Sequence, residues 1–141
     1  MRRWIMADEK EQKVQAVLDI LDPYFDHDWS GGIRRFGSVP WHKMESALLA
    51  AGDLADYAPW NNFIGTLALI KEAGKLEADG CEVLYHGYLV GMGREDTRLT
   101  LEGLEARSAD DYTRVKASLR GATIGADEFE NRGGAVIWWW D

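Results

Sequence analysis

Three histidines, one cysteine and a surplus of carboxylates are the residues of this 141-residue chain that could do chemistry. Their spacing supports little of it. Asp26-His27-Asp28 comes nearest to a metal-ligand cluster, yet no second histidine or cysteine stands at ligand spacing, and a polar loop following a helix accounts for it. His42 follows Trp41 at a helix start and belongs on the surface. His86 lies in an apolar segment between Tyr85 and Gly87, with Tyr88 next. It is the histidine expected to be buried, either satisfied within the core or lining a ligand pocket with Tyr85 and Tyr88. Cys81 has no basic neighbour to stabilise a thiolate, so the role of a small half-buried apolar residue fits it. Asp110-Asp111 and Asp127-Glu128 read as helix starts or surface charge. Gly91-x-Gly93 lacks the later glycine and the helix of a dinucleotide site, and neither Gly-x-Ser-x-Gly nor a phosphate loop is present. No catalytic group, metal or cofactor is expected on these grounds.

The elements that would position these residues can be read from periodicity. Apolar residues make up 46% of the chain and charged residues 28%, the composition of one globular domain spanning residues 1–141. Val14, Val17, Leu18, Leu21 and Phe25 recur at helical steps and predict an amphipathic helix over 8–25, capped by Asp8 and ended near Pro23. A loop through Gly31-Gly32 leads to a short strand, Ile33 to Phe36. Ser38 and Pro40 mark a second helix, with Trp41, Met44, Leu48 and Ala51 on one face and Gly52 as its stop. Pro59 opens a third, carrying Trp60, Phe63, Ile64, Leu67 and Ile70, with Gly74 at its end. Cys81 to Val90 reads as a strand, and residues 91–96 as a turn. Leu101, Leu104, Tyr112, Val115 and Leu119 fall on one helical stripe and favour a fourth helix over 101–120 rather than a strand. A C-terminal strand over 134–141 is apolar at both parities, which requires cover on both faces. The sum is a compact α+β domain with about four helices and a small, mainly antiparallel sheet.

Residues 40–120 resemble a winged helix-turn-helix. The residues that carry the likeness are Lys71-Glu72-Ala73-Gly74-Lys75-Leu76-Glu77 at a helix end, a strand, a glycine-bearing wing, and Leu99-Thr100-Leu101-Glu102-Gly103-Leu104. The resemblance implies a winged-helix-like core whose third helix enters the major groove while the wing touches phosphates. Asn61, Asn62, Lys71, Arg94 and Arg98 would then be the nucleic-acid contacts. Here the sequence departs from the pattern. Lys71 stands beside Glu72, and Arg94 and Arg98 are balanced by Glu95 and Asp96.

The net charge of −8 also argues against nucleic acid and suits a basic protein partner. Among the seven tryptophans, Trp29 beside Ser30-Gly31-Gly32 and the run Trp138, Trp139 and Trp140 are the candidates for partner contact. The expected function is therefore that of a non-catalytic acidic protein acting on another protein, as an inhibitor, immunity-type factor or adaptor, with a homodimer as a further option. A winged-helix transcriptional regulator is the alternative, and a small-ligand binder or unrecognised enzyme around Tyr85, His86 and Tyr88 is the third. No apolar run approaches the roughly 18 residues that span a bilayer. The opening Met1-Arg2-Arg3-Trp4 lacks the apolar core of a signal peptide, so no membrane association and a cytoplasmic location are expected. In a fluorescence-anisotropy titration at physiological salt, duplex DNA should not bind with sub-micromolar affinity; a tight isotherm with steep salt dependence would contradict this reading.

Overall fold

The computed structural model describes residues 2–26, 28–57, 65–78, 82–107, 128–132 and 135–139. Among these residues, three α-helices and six strands follow in the order α1 (Arg2–Leu21), β1 (Ile33–Pro40), α2 (Trp41–Ala51), β2 (Ala55–Asp56), α3 (Thr66–Ala78), β3 (Glu82–Val90), β4 (Arg98–Arg107), β5 (Glu128–Arg132) and β6 (Ala135–Trp139). Short 3-10 turns follow α1 and α2. The strands form one sheet in the order β1-β3-β4-β6-β5, antiparallel throughout, while β2 runs parallel to β4 beside Leu99 and Thr100. The fold is α+β, and no described helix is long and apolar enough to cross a membrane.

Register decides which side of the sheet is apolar. Tyr85 stands opposite Leu104, Gly87 opposite Leu101 and Leu89 opposite Leu99, so these residues share one face. That face joins Phe36 and Val39 of β1 and the inward stripes of the helices, among them Val14, Val17 and Leu21, Met44 and Leu48, Leu69 and Leu76. Each fully buried leucine here contributes roughly 1.5–3 kcal/mol, and this shared core is what fixes three helices to one side of the sheet. Trp41 packs its ring 5.5 Å from that of Tyr85, closing the core near the start of α2.

The helix boundaries show where local signals held and where packing overrode them. Helix α2 runs over the expected residues. Gly52 ends it at φ +57, with its N–H shared between the carbonyls of Leu48 and Leu49. Helix α1 begins at Arg2, so Asp8 lies inside it rather than capping it; arginine, methionine and alanine at its start are good helix formers. Pro23 falls in the 3-10 turn that closes α1. Helix α3 passes through Gly74, the expected stop, to Ala78. A glycine costs a helix only about 1 kcal/mol relative to alanine, and burial of Leu76 beyond it offsets that. The expected start at Pro59 lies outside the described residues.

The largest correction concerns residues 101–107. The expected fourth helix over 101–120 is replaced there by strand: Leu99-Thr100-Leu101-Glu102-Gly103-Leu104 belongs to β4, paired with β3 along its length. Leu99, Leu101 and Leu104 satisfy a strand face interrupted by one bulge as readily as a helical stripe, and the ladder to β3 decides between them. Residues 108–120 lie outside the described set. Strand β5 was not expected either, although Arg132 pairs with Ala135 across Gly133-Gly134, a two-residue link of hairpin type in the sequence.

Strand β6 has a partner on each side, Gly103 to Arg107 of β4 and the whole of β5. Removing residues 135–141 should leave the outer edge of β4 unpaired and β5 without its neighbour. The truncated chain should then be insoluble or lose its near-UV circular dichroism, whereas a melt identical to that of the full chain would show that β6 is dispensable.

Candidate functional site

The opposite face of the same strands is polar. Two irregularities in the ladders build it. Between Phe36 and Val39 the β1–β3 register shifts, admitting Gly37 and Ser38; between His86 and Gly87 the β3–β4 register shifts, leaving Glu102 as the extra residue. Both bulges therefore flank the same point of β3, and a bulge re-aims side chains that a regular ladder would alternate. Ser38 is the one non-glycine among the described residues with positive φ, +54°, a conformation that costs energy in an L-residue.

On this face the imidazole of His86 places Nε2 3.3 Å from Glu105 Oε1, the same oxygen to which Ser38 Oγ donates at 3.2 Å. The ring lies across Gly37: a Cβ there would come 2.8 Å from His86 Nδ1 and 3.1 Å from Asp26 Oδ2, so only glycine leaves room. Asp26 is brought in because its N–H donates to the Arg35 carbonyl along the outer edge of β1. One step along the strands, Arg35 donates through Nη1 to Glu102 and lies 5.5 Å from the centre of the Tyr88 ring. Arg98 donates to the Tyr88 hydroxyl at 3.2 Å and places Nε 4.0 Å from Asp56. Thr100 stands opposite Tyr88, and its buried hydroxyl has no hydrogen-bond partner among the described residues.

The centre of this polar face is shielded from water, while Asp26 and Arg35 at its margin are exposed. Glu105 is 4% exposed and Glu102 8%, and Leu84 and Val90, which share the face by register, are buried. Withdrawing carboxylates from water is costly even when they are paired, and an apolar face of the same shape would be at least as stable. The arrangement is suited to holding a polar molecule by many hydrogen bonds, and the His86–Glu105 pair can accept, hold or return a proton. Among the described residues no three histidine, cysteine or acidic side chains converge as a metal-ligand set.

Of the residues proposed from sequence as a ligand pocket, His86 and Tyr88 come together here and Tyr85 does not. Tyr85 is paired with Leu104 on the core face, because neighbouring strand residues point to opposite sides. Burial, and secondarily the charge of Glu77, pushes its phenol well above the usual tyrosine range. Sequence reasoning missed Arg35, Ser38, Glu102 and Glu105. Glu102 and Glu105 fell within the expected fourth helix. Two glutamates set among the apolar residues of 99–106 were the available signal.

The residues proposed as nucleic-acid contacts are arranged differently. Asn61 and Asn62 lie outside the described residues, and Lys71 is exposed on α3. Arg94 donates to both carboxylate oxygens of Asp96 at 3.0 Å and to the Gly31 carbonyl, while Arg98 reaches Asp96 at 2.8 Å. Arg98, with Arg94 beside it, holds the Asp96 carboxyl below the usual carboxylate range despite some opposing desolvation. Arg94 and Arg98 thus pin the 91–97 loop to itself and, through Arg94, to the Gly31-Gly32 turn.

Among the proposed partner contacts, Trp29 is 40% exposed. Trp138 and Trp139 occupy β6 opposite Leu104 and Gly103, and Trp140, like Cys81 and His27, lies outside the described residues. Comparison with protein-family models, curated proteins and solved structures finds no match.

The displaced phenol of Tyr85 gives a pH test. A folded-state pKa raised above the ordinary value of 10.0 means the stability tied to the protonated phenol is complete below that value and is lost as pH rises above it. Between about pH 9 and pH 11, the urea midpoint of the wild type should fall more steeply than that of Tyr85→Phe; parallel curves would show that burial of the hydroxyl does not matter.

Proposed function

We propose that the polar sheet face between the two bulges binds a small polar molecule, neutral or cationic. One observation carries this reading: two nearly inaccessible carboxylates, Glu102 and Glu105, are held on one face beside His86, Arg35 and an unpartnered Thr100 hydroxyl. Buried hydroxyls in folded proteins are nearly always satisfied, so Thr100 marks a position where a ligand group completes the network. The strained backbone at Ser38 supports the same assignment, since such conformations concentrate at functional sites.

The charge of the face sets the ligand class. Asp26, Asp56, Glu102 and Glu105 supply four carboxylates against the guanidinium groups of Arg35 and Arg98 and the imidazole of His86. Both arginines already face carboxylates, which disfavours an anion and favours a molecule rich in hydrogen-bond donors, such as a polyol or an amine. This is the small-ligand alternative of the sequence reading, with its pocket rebuilt from different residues. The reading as an inhibitor, immunity-type factor or adaptor belongs to another surface, around Trp29. The reading as a winged-helix regulator has less support, because Arg94 and Arg98 are engaged by Asp96.

A thermal-shift screen pairing polyols and amines with carboxylates and phosphates tests the assignment. A ligand at one hundred times its Kd adds about 2.7 kcal/mol to stability, enough to raise Tm by several degrees. The shifts should come from neutral or cationic compounds and should vanish in Glu102→Gln and Glu105→Gln. Shifts confined to anions, or unchanged in both variants, would falsify the proposal.

A further inference from the structure

A second concave surface lies away from the polar face, between α1 and the loop after β3. It is a cleft of about 370 Å³, floored by Val14 and Leu18 and walled by Trp29 and Met92, with Glu11 at its edge. Its construction is specific. Ser30 and Ile33 exchange backbone hydrogen bonds of 2.8 and 3.0 Å around Gly31-Gly32, whose φ angles of +59° and +81° only glycine adopts without strain. This tight turn sets Trp29 against Gly91, where a Cβ would come 2.7 Å from the indole ring. One part of the indole is thus fixed by backbone while the residue stays 40% exposed, and Met92 is 42% exposed.

Among the described residues, Glu11 is the single formal charge lining the cleft, and its carboxylate has no ion-pair or hydrogen-bond partner there. Gln15, one turn on, is committed to Asp19 at 2.9 Å. An occupant must therefore combine an apolar stem, for Val14, Leu18 and Met92, with a cationic head for the indole face and Glu11. Arginine and lysine side chains have that form. Arginine fits better, because its planar guanidinium stacks on an indole and meets a carboxylate edge-on. The net charge of −8 favours the approach of a basic segment over long range.

We propose that this cleft docks an arginine side chain from a basic segment of a partner protein, with Trp29 as the stacking platform and Glu11 as the counter-charge. The proposal is independent of the ligand assigned to the polar sheet face, and it gives the partner-binding expectation for Trp29 a defined chemistry.

The test is a titration of the full-length protein with a blocked Leu-Arg-Arg-Leu peptide, read as tryptophan fluorescence and as amide shifts around Gly91. Three comparators accompany it: the same peptide with citrulline for arginine, free guanidinium ion, and the Glu11→Gln variant. Glu11 is exposed, so its replacement leaves the fold intact. Saturable binding of the arginine peptide is expected, with shifts at Gly91 and affinity lower by roughly threefold to fivefold in Glu11→Gln. The fluorescence change should be lost in Trp29→Phe. Equal binding of the citrulline peptide, indifference to Glu11→Gln, or no saturation at millimolar peptide would overturn the proposal. Binding of free guanidinium as tight as that of the peptide would assign the cleft to small cations instead and would equally overturn a protein partner.

Discussion

The close pairing of β3 with β4 is the constraint on which the rest of the structure depends. At its centre Gly87 lies so near its neighbours that a Cβ would run into the Thr100 carbonyl oxygen and come 2.7 Å from Phe36 Cζ. A side chain at that point would separate the strands or displace the Phe36 ring from the core. With glycine there, β1, β3 and β4 stack in register around it, and both bulges open on its flank. Helix packing on one face and polar convergence on the other follow from the same geometry.

The two faces solve opposite problems. The helix-bearing face buries mostly leucine, valine, methionine and aromatic side chains, with the Tyr85 phenol as a polar exception, and it supplies the favourable free energy of the fold. The other face holds two carboxylates out of water and depends on each being met by a partner. Glu102 faces Arg35, Glu105 faces Ser38 and His86, and Arg98 lies between Asp96 and Tyr88. Such a network contributes specificity of arrangement more than stability. A chain that maintains it carries a cost that the apolar face must offset. That imbalance is a physical reason to look for function on the polar side.

Surface charge is organised in a similar way. In the loop after β3, Arg94 is engaged internally, by Asp96 and the Gly31 carbonyl, and so fixes the turn that presents Trp29. Lys13 is likewise committed, to Asp53 at 2.8 Å. Glu11 has no such partner among the described residues, which leaves a negative charge in the cleft beside α1 next to exposed indole. The acidic balance of the chain thus has a local expression as well as a global one.

The sequence by itself determined the features that depend on near neighbours. The helical stripe of Val14, Val17 and Leu21, the stop of α2 at Gly52, the strand before Val90 and the turn after it all rest on period, capping and turn chemistry. Those forces act within a few residues, so their signals sit close together in the chain. Tertiary structure decided whether residues 101–107 were strand or helix, because Leu99, Leu101 and Leu104 satisfy either period and only the ladder to β3 distinguishes them. It also decided the candidate site. Ser38, His86 and Glu105 are separated by 48 and 19 positions in sequence, and two bulges in different strand pairs bring them together. A bulge is a mismatch between two strands, so neither strand records it alone; that is why His86, half-buried in the structure, could be singled out from sequence while the carboxylate beside it could not.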